Sequence, residues 1–101
     1  MWPSVSIIMP VFNSASVQLS IAGVLMQTYK YFELIIIDDC SNEETAKTLS
    51  HLSSTDSRIS LIRNNKNEGA GICRNIGLRA AKYDFVAFCD CLLYTSPSPP
   101  D

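Results

Sequence analysis

Apolar and polar positions alternate in blocks along this chain, and each block has the length of one strand or one helix. Val5-Ser6-Ile7-Ile8-Met9 is a short, β-branched-rich run stopped by Pro10, whose missing N–H cannot continue a central ladder. It predicts a first strand. Asn13 and Ser14 can cap a helix in which Val17, Ile21, Val24 with Leu25, and Thr28 share one face, ending near Gln27. Phe32-Glu33-Leu34-Ile35-Ile36-Ile37 is nearly continuous in apolar residues, the pattern of a parallel strand covered on both faces, and it stops at Asp38-Asp39. Ser41-Asn42-Glu43-Glu44 reads as a capping box, with the Ser41 hydroxyl placed for the Glu44 N–H, before a helix buried through Ala46, Leu49 and Leu52. Ile59-Ser60-Leu61-Ile62 predicts a third strand and Asn64 to Gly69 a loop. From Ala70 a third helix carries Ile72, Ile76 and Ala80 on one face, with Gly71 and Gly77 permitting close backbone approach. Asp84 to Asp90 is the fourth strand. This βαβαβαβ order predicts an α/β fold: an open, mostly parallel, Rossmann-like sheet with right-handed crossovers.

The character changes within one residue after Asp90. Cys91-Leu92-Leu93-Tyr94 runs into Thr95-Ser96-Pro97-Ser98-Pro99-Pro100-Asp101, which has no hydrophobic period and holds three of the five prolines. A Pro/Ser linker is one reading. The favoured one is a tail foreign to the domain, of the kind acquired when assembled sequence runs on into adapter. The expected organisation is therefore a partial domain over 1–90 and a disordered tail over 91–101.

Composition narrows the classes. With 47% hydrophobic and 18% charged residues in 101, a chain of this size buries about 65% of its unfolded surface, enough for a modest core. A formal charge of −2 without a Lys/Arg cluster gives no footprint for nucleic acid or an anionic membrane. No apolar run approaches the ~20 residues of a membrane helix, so the expected setting is cytoplasmic, with room for a membrane-associated parent. Cys40, Cys73, Cys89 and Cys91 form no C-x-x-C, which suits a reducing compartment.

In open α/β sheets ligands bind beyond the carboxyl ends of the strands. The polar residues there are Asn13 after Pro10-Val11-Phe12, then Asp38-Asp39, Asn67-Glu68-Gly69 with Arg74, and Asp90. Adjacent carboxylates after three isoleucines cost too much to bury unpaired, so they cap the next helix or meet a ligand. Asp39 is assigned to the ligand because Ser41 already serves as a cap. His51 reads as solvent-facing, and Cys40 and Cys73 as small packing residues. Cys89 and Cys91 make a lone C-x-C, a weak metal signal. Gly69, Gly71 and Gly77 match no phosphate loop, and helix packing explains them better.

Val5 to Asn13, Gln27-Thr28-Tyr29 before Phe32 to Ser41, Asn67-Glu68-Gly69 with Arg74-Asn75-Ile76-Gly77, and Phe85 to Asp90 together resemble the N-terminal half of a family 2 glycosyltransferase of GT-A fold. The resemblance spans roughly Pro3 to Asp90. It implies transfer of a sugar from a nucleoside-diphosphate sugar, expected to be UDP-linked, to an acceptor hydroxyl, with inversion. It also implies nucleotide contacts from Pro10, Phe12, Asn13 and Asp39, with Phe12 offering a face to the base and Asp39 accepting from a base N–H. Arg74 matches an arginine that acts near the diphosphate as a fixed cation, or else it pairs internally with an acid such as Asp39. Asp90 matches the first acid of a D-x-D motif whose last acid holds Mg²⁺ or Mn²⁺; that position is Leu92 here, which cannot bind a metal. The family's catalytic base lies further downstream, so no catalytic residue is assigned, and the chain as written is expected to be an inactive fragment. Asp39 and Asp90 are expected side by side at one sheet edge. Two alternatives stand: a receiver-like signalling module, disfavoured because a full βα unit precedes Asp38 and no lysine-bearing strand follows Asp90, and a non-catalytic nucleotide-binding module.

Overall fold

In the computed structural model, which describes residues 4–13, 17–26 and 30–89, strands and helices alternate from Val5 to Phe88. The elements are β1 (Val5–Val11), α1 (Val17–Leu25), β2 (Phe32–Asp38), α2 (Glu43–Thr55), β3 (Ile59–Arg63), α3 (Ala70–Ala80) and β4 (Phe85–Phe88). All strand pairs are parallel, in the order β3-β2-β1-β4. The chain steps outward from β1 to β3, then returns over β2 and β1 through α3 to place β4 on the other side. The order thus reverses between β1 and β4, which is where the carboxyl end of such a sheet opens a crevice.

The two-residue side-chain period divides the sheet's faces. Ile7, Met9 and Val11 of β1 and Leu34 and Ile36 of β2 pack with Val17 and Ile21 of α1 and Leu49 of α2. Ile8, Ile35 and Ile37 face the opposite layer with Cys73 of α3, joined by partly buried Ile62, Ile76 and Val86. Every residue of β2 is buried, as expected of a run with no polar face, and each such Ile or Leu is worth about 1.5–3 kcal/mol.

Three expectations change. Pro10 does not end β1: the pairing with β2 continues through Pro10↔Ile37 and Val11↔Asp38. Cys89 N–H donates to the Ile8 carbonyl, so even-numbered β1 residues turn their backbone toward β4. The missing N–H of Pro10 therefore faces beyond the described β1–β4 pairing, which stops at Ile8↔Phe88. The buried side of α3 is Cys73 and Gly77, while Ile72 is 46% exposed and Ala80 also faces outward. Gly77 sets this face, because a Cβ there would run into the Ile8 side chain and only glycine lets the helix lie so close. Gly71 has open space around it and is not needed for packing. In the sheet, β1 runs between β4 and β2, the strand that leads into Asp39. Asp90 itself, Leu92 and the tail over 91–101 lie outside the described residues.

At the amino end of the sheet, the fully buried Ser6 hydroxyl donates to Glu33 Oε2 at 2.7 Å. The same carboxylate oxygen accepts from Lys82 N–H at 2.8 Å, and Tyr83 N–H donates to Ser6 Oγ at 3.2 Å. This network ties the α3–β4 turn to β1 and β2. Among the described residues no helix is long and apolar enough to cross a membrane.

Candidate functional site

Beyond the carboxyl ends of β1 and β2 the backbone remains coupled for one more residue, since Asp39 N–H donates to the Val11 carbonyl at 2.8 Å. Phe12 and Asp39 thus emerge side by side from paired strands. Phe12 is 48% exposed, leaving much of its ring open to a flat partner. Pro10, half-buried, lies within β1 opposite Ile37.

Asn13 adopts a left-handed φ of 47°, a conformation that Asn tolerates better than most residues. Its N–H donates to Ser41 Oγ at 3.0 Å and its Oδ1 accepts from Asn42 N–H. Asn42 in turn caps α2, its Oδ1 accepting from Thr45 N–H at 2.9 Å. The expected capping box is therefore displaced by one residue. Ser41 is committed to the β1 loop, so the cap passes to Asn42. The starts of α1 and α2 border a polar groove of about 210 Å³ lined by Asn13, Gln18, Asn42, Thr45 and Thr48 among others.

The adjacent aspartates have divergent partners. Asp38, 1% exposed, accepts from Ser41 N–H at 2.9 Å through Oδ1 and pairs with Arg63 Nη1 at 2.6 Å through Oδ2. Arg63 stands opposite it in the β2–β3 register and also donates to the Ser41 carbonyl. Asp39, 3% exposed, reaches the β3–α3 loop instead. Its Oδ1 accepts from Asn64 Nδ2 and from Glu68 N–H, both at 2.8 Å. Its Oδ2 accepts from Asn67 Nδ2 at 3.0 Å and from Gly69 N–H at 2.9 Å. Gly69, at φ 96°, is the residue that can turn its N–H inward just before α3. Burial alone would raise the Asp39 pKa, but the hydrogen bonds from Glu68, Asn64, Gly69 and Cys73 outweigh it and hold the carboxyl below its ordinary value. The neighbouring Cys73 thiol is pushed up to about 11, first by burial and then by its contact with Asp39. It is an inert packing thiol.

Asp39 thus anchors a loop, a role beyond the ligand contact to which the sequence assigns it. The asparagines of the Asn64 to Gly69 stretch are donors of the kind a buried carboxylate needs, but nothing local in the sequence ties them to Asp39. Arg74 is half-buried on α3, one turn past Gly69. His51 is exposed, as expected. Among the described residues no group of three His, Cys, Asp or Glu could hold a metal ion, and both aspartates are committed to other partners. The Mg²⁺ or Mn²⁺ expectation rests on Asp90, which lies outside the described residues.

The family model for glycosyl transferase family 2 matches residues 6–95. An uncharacterized glycosyltransferase of Haemophilus influenzae is 37% identical over 89 residues, covering 87% of this chain and 36% of that protein. The Escherichia coli UDP-Glc:alpha-D-GlcNAc-diphosphoundecaprenol beta-1,3-glucosyltransferase WfgD is 42% identical over 87 residues, covering 85% of this chain and 34% of the enzyme. The chain thus spans about a third of the length of these relatives. Among solved structures, the mannosyltransferase PcManGT of Pyrobaculum calidifontis, in complex with GDP-Man and Mn²⁺, superposes with a TM-score of 0.81 at 22% identity, over 90% of this chain and 28% of that one. S. aureus TarS 1-349 in complex with UDP-GlcNAc matches with a TM-score of 0.78 at 26% identity, over 87% and 26% respectively. The expected GT-A type of α/β fold is the one observed.

Proposed function

The chain belongs to glycosyl transferase family 2, and from that premise we propose that it forms the nucleotide-binding part of an enzyme that transfers a sugar from a UDP-linked donor to an acceptor hydroxyl with inversion. The observation carrying this reading is the emergence of an exposed aromatic face, Phe12, beside a buried carboxylate, Asp39, at the carboxyl end of the sheet where the strand order reverses. A base stacked on Phe12 has its edge toward Asp39, and a carboxylate there favours a base presenting an N–H, as uracil does. Asn13 and Pro10 hold the Phe12 loop to α2 and β2, and Arg74 supplies positive charge toward a diphosphate. The UDP-GlcNAc bound to TarS and the UDP-Glc in the name of the WfgD enzyme support the choice of base. A divalent cation supplies leaving-group neutralisation where a complete D-x-D is present. With Leu92 at its last position, this chain is expected to bind nucleotide without turning over donor. The proposed setting is cytoplasmic.

Calorimetric titration of the chain with UDP, CDP, GDP and ADP tests the reading. A clear preference for UDP is expected. Equal response to all four, or a response to Mg²⁺ that ignores the base as a receiver-like module would give, overturns it.

A further inference from the structure

A carboxylate has about four acceptor sites, and in Asp39 they are taken by four nitrogen donors of the protein, with the buried Cys73 thiol packed against it as well. A base N–H therefore has to replace one of the four donors. Two of them, Glu68 N–H and Gly69 N–H, are main-chain groups fixed by the entry into α3. Asn64 is partly buried against both Asp39 and Cys73 and follows directly on β3, its own N–H donating to the Asp38 carbonyl at 2.9 Å. Asn67 differs from the other three. It is an exposed side chain making the longest of the four carboxylate bonds, with a second, 3.4 Å contact to the Asp39 carbonyl. It is the donor that can rotate into water without moving the backbone, and water then satisfies its amide.

We propose that the Asn67 side-chain amide is a placeholder for the ligand: it occupies Asp39 Oδ2 while the site is empty and is displaced by the N–H of the bound base. This rests on the reading that Asp39 accepts from the base. Asn67 is thereby a positioning residue that keeps the buried carboxylate charged and correctly oriented in the absence of ligand. The exchange trades one hydrogen bond for another, so the placeholder lowers affinity while protecting the site. It also sharpens selectivity, because a base lacking the N–H must leave Asp39 with its protein donor or strip it without replacement, and the second course costs an unmade bond.

The test uses the full 101-residue chain, its Asn67→Ala variant and two probes, UDP and its N3-methyluridine counterpart, which lacks the base N–H. Removing the competing amide should tighten UDP binding by about 3- to 10-fold, the size of one net hydrogen bond, and leave N3-methyl-UDP affinity unimproved relative to UDP. In ¹⁵N-labelled chain the Asn67 side-chain resonances, identified by their loss in the variant, should shift toward solvent-exposed amide values on adding UDP and stay in place with N3-methyl-UDP. A thermal melt of the variant within a few degrees of the parent shows that the loop stays folded. If UDP binds the parent with base preference but the variant binds it equally or more weakly, the placeholder role is overturned and the proposed function stands. If neither chain distinguishes UDP from its methylated counterpart, the base contact to Asp39 fails and both fall.

Discussion

Two carboxylates on or beside β2 hold opposite ends of the same crossover, and they do so differently. Glu33, at the amino end, takes Lys82 N–H just after α3, and Asp39, at the carboxyl end, takes Glu68 and Gly69 N–H just before it. Between them α3 is tied down at both ends. The partners of Glu33 are a fully buried serine hydroxyl and a main-chain N–H, none of which can leave without unfolding something. Asp39 has the same kind of main-chain partners plus one exposed amide. The comparison separates a carboxylate that only builds from one that builds and keeps a replaceable partner, and the second kind stands at the end of the sheet where ligands bind.

The comparison breaks hardest at Asp39. In Asp39→Asn one acceptor oxygen becomes an NH₂ facing protein donors, whichever way the amide turns. A loss of about 2–4 kcal/mol is expected, together with loss of base preference. A thermal melt that leaves stability untouched would show that the loop does not depend on this carboxylate. Acid provides the same perturbation without mutation. Because the folded-state pKa of Asp39 lies below its ordinary value of 3.8, its contribution is complete above about pH 4 and is lost as pH falls through the lower, folded value. Urea titrations between pH 6 and pH 2 should show this decline in the parent and a shallower one in Asp39→Asn.

At the other end, Glu33→Ala leaves the Ser6 hydroxyl and Lys82 N–H without their acceptor and should cost about 1–3 kcal/mol, with UDP affinity unchanged in chain that remains folded. Altered base preference in that variant would dissolve the distinction between the two ends. The smallest effect is expected away from both. Lys47 and Glu43 are 3.6 Å apart on the exposed face of α2, and Lys47→Ala should change stability by less than about 0.5 kcal/mol in a denaturant titration.

The strands and their parallel arrangement were legible because Val5 to Met9 and Phe32 to Ile37 have no polar face, which in a soluble chain requires cover on both sides. The position of Cys73 as a packing residue followed from its chemistry. The face of α3 was misjudged because hydrophobicity ranked Ile72 above Gly77, whereas close contact with Ile8 selects for the absence of a side chain. The cap of α2 was placed one residue early because Ser41 and Asn42 are both good caps locally, and only the approach of Asn13 from a distant turn decides between them. Phe12 and Asp39 could be named from sequence as candidates for the site. Their hydrogen-bond partners could not, since Asn64 and Asn67 become neighbours of Asp39 only when β3 is laid beside β2.

The strand order also sets a schedule. β1 is made first, yet the strand on its other flank is the last of the four described, so Val5 pairs with Phe85 while β2 and β3 are complete some twenty residues earlier. At synthesis rates of ~5–20 residues per second, the chain spends roughly one to five seconds with three strands assembled and β4 unmade. Closing the connection from β3 that finally joins it costs roughly 3 kcal/mol in chain entropy. Throughout that interval the backbone groups of Ser6 and Ile8 form an open template, and a neighbouring nascent chain offering its own strand reaches them before the rightful partner exists.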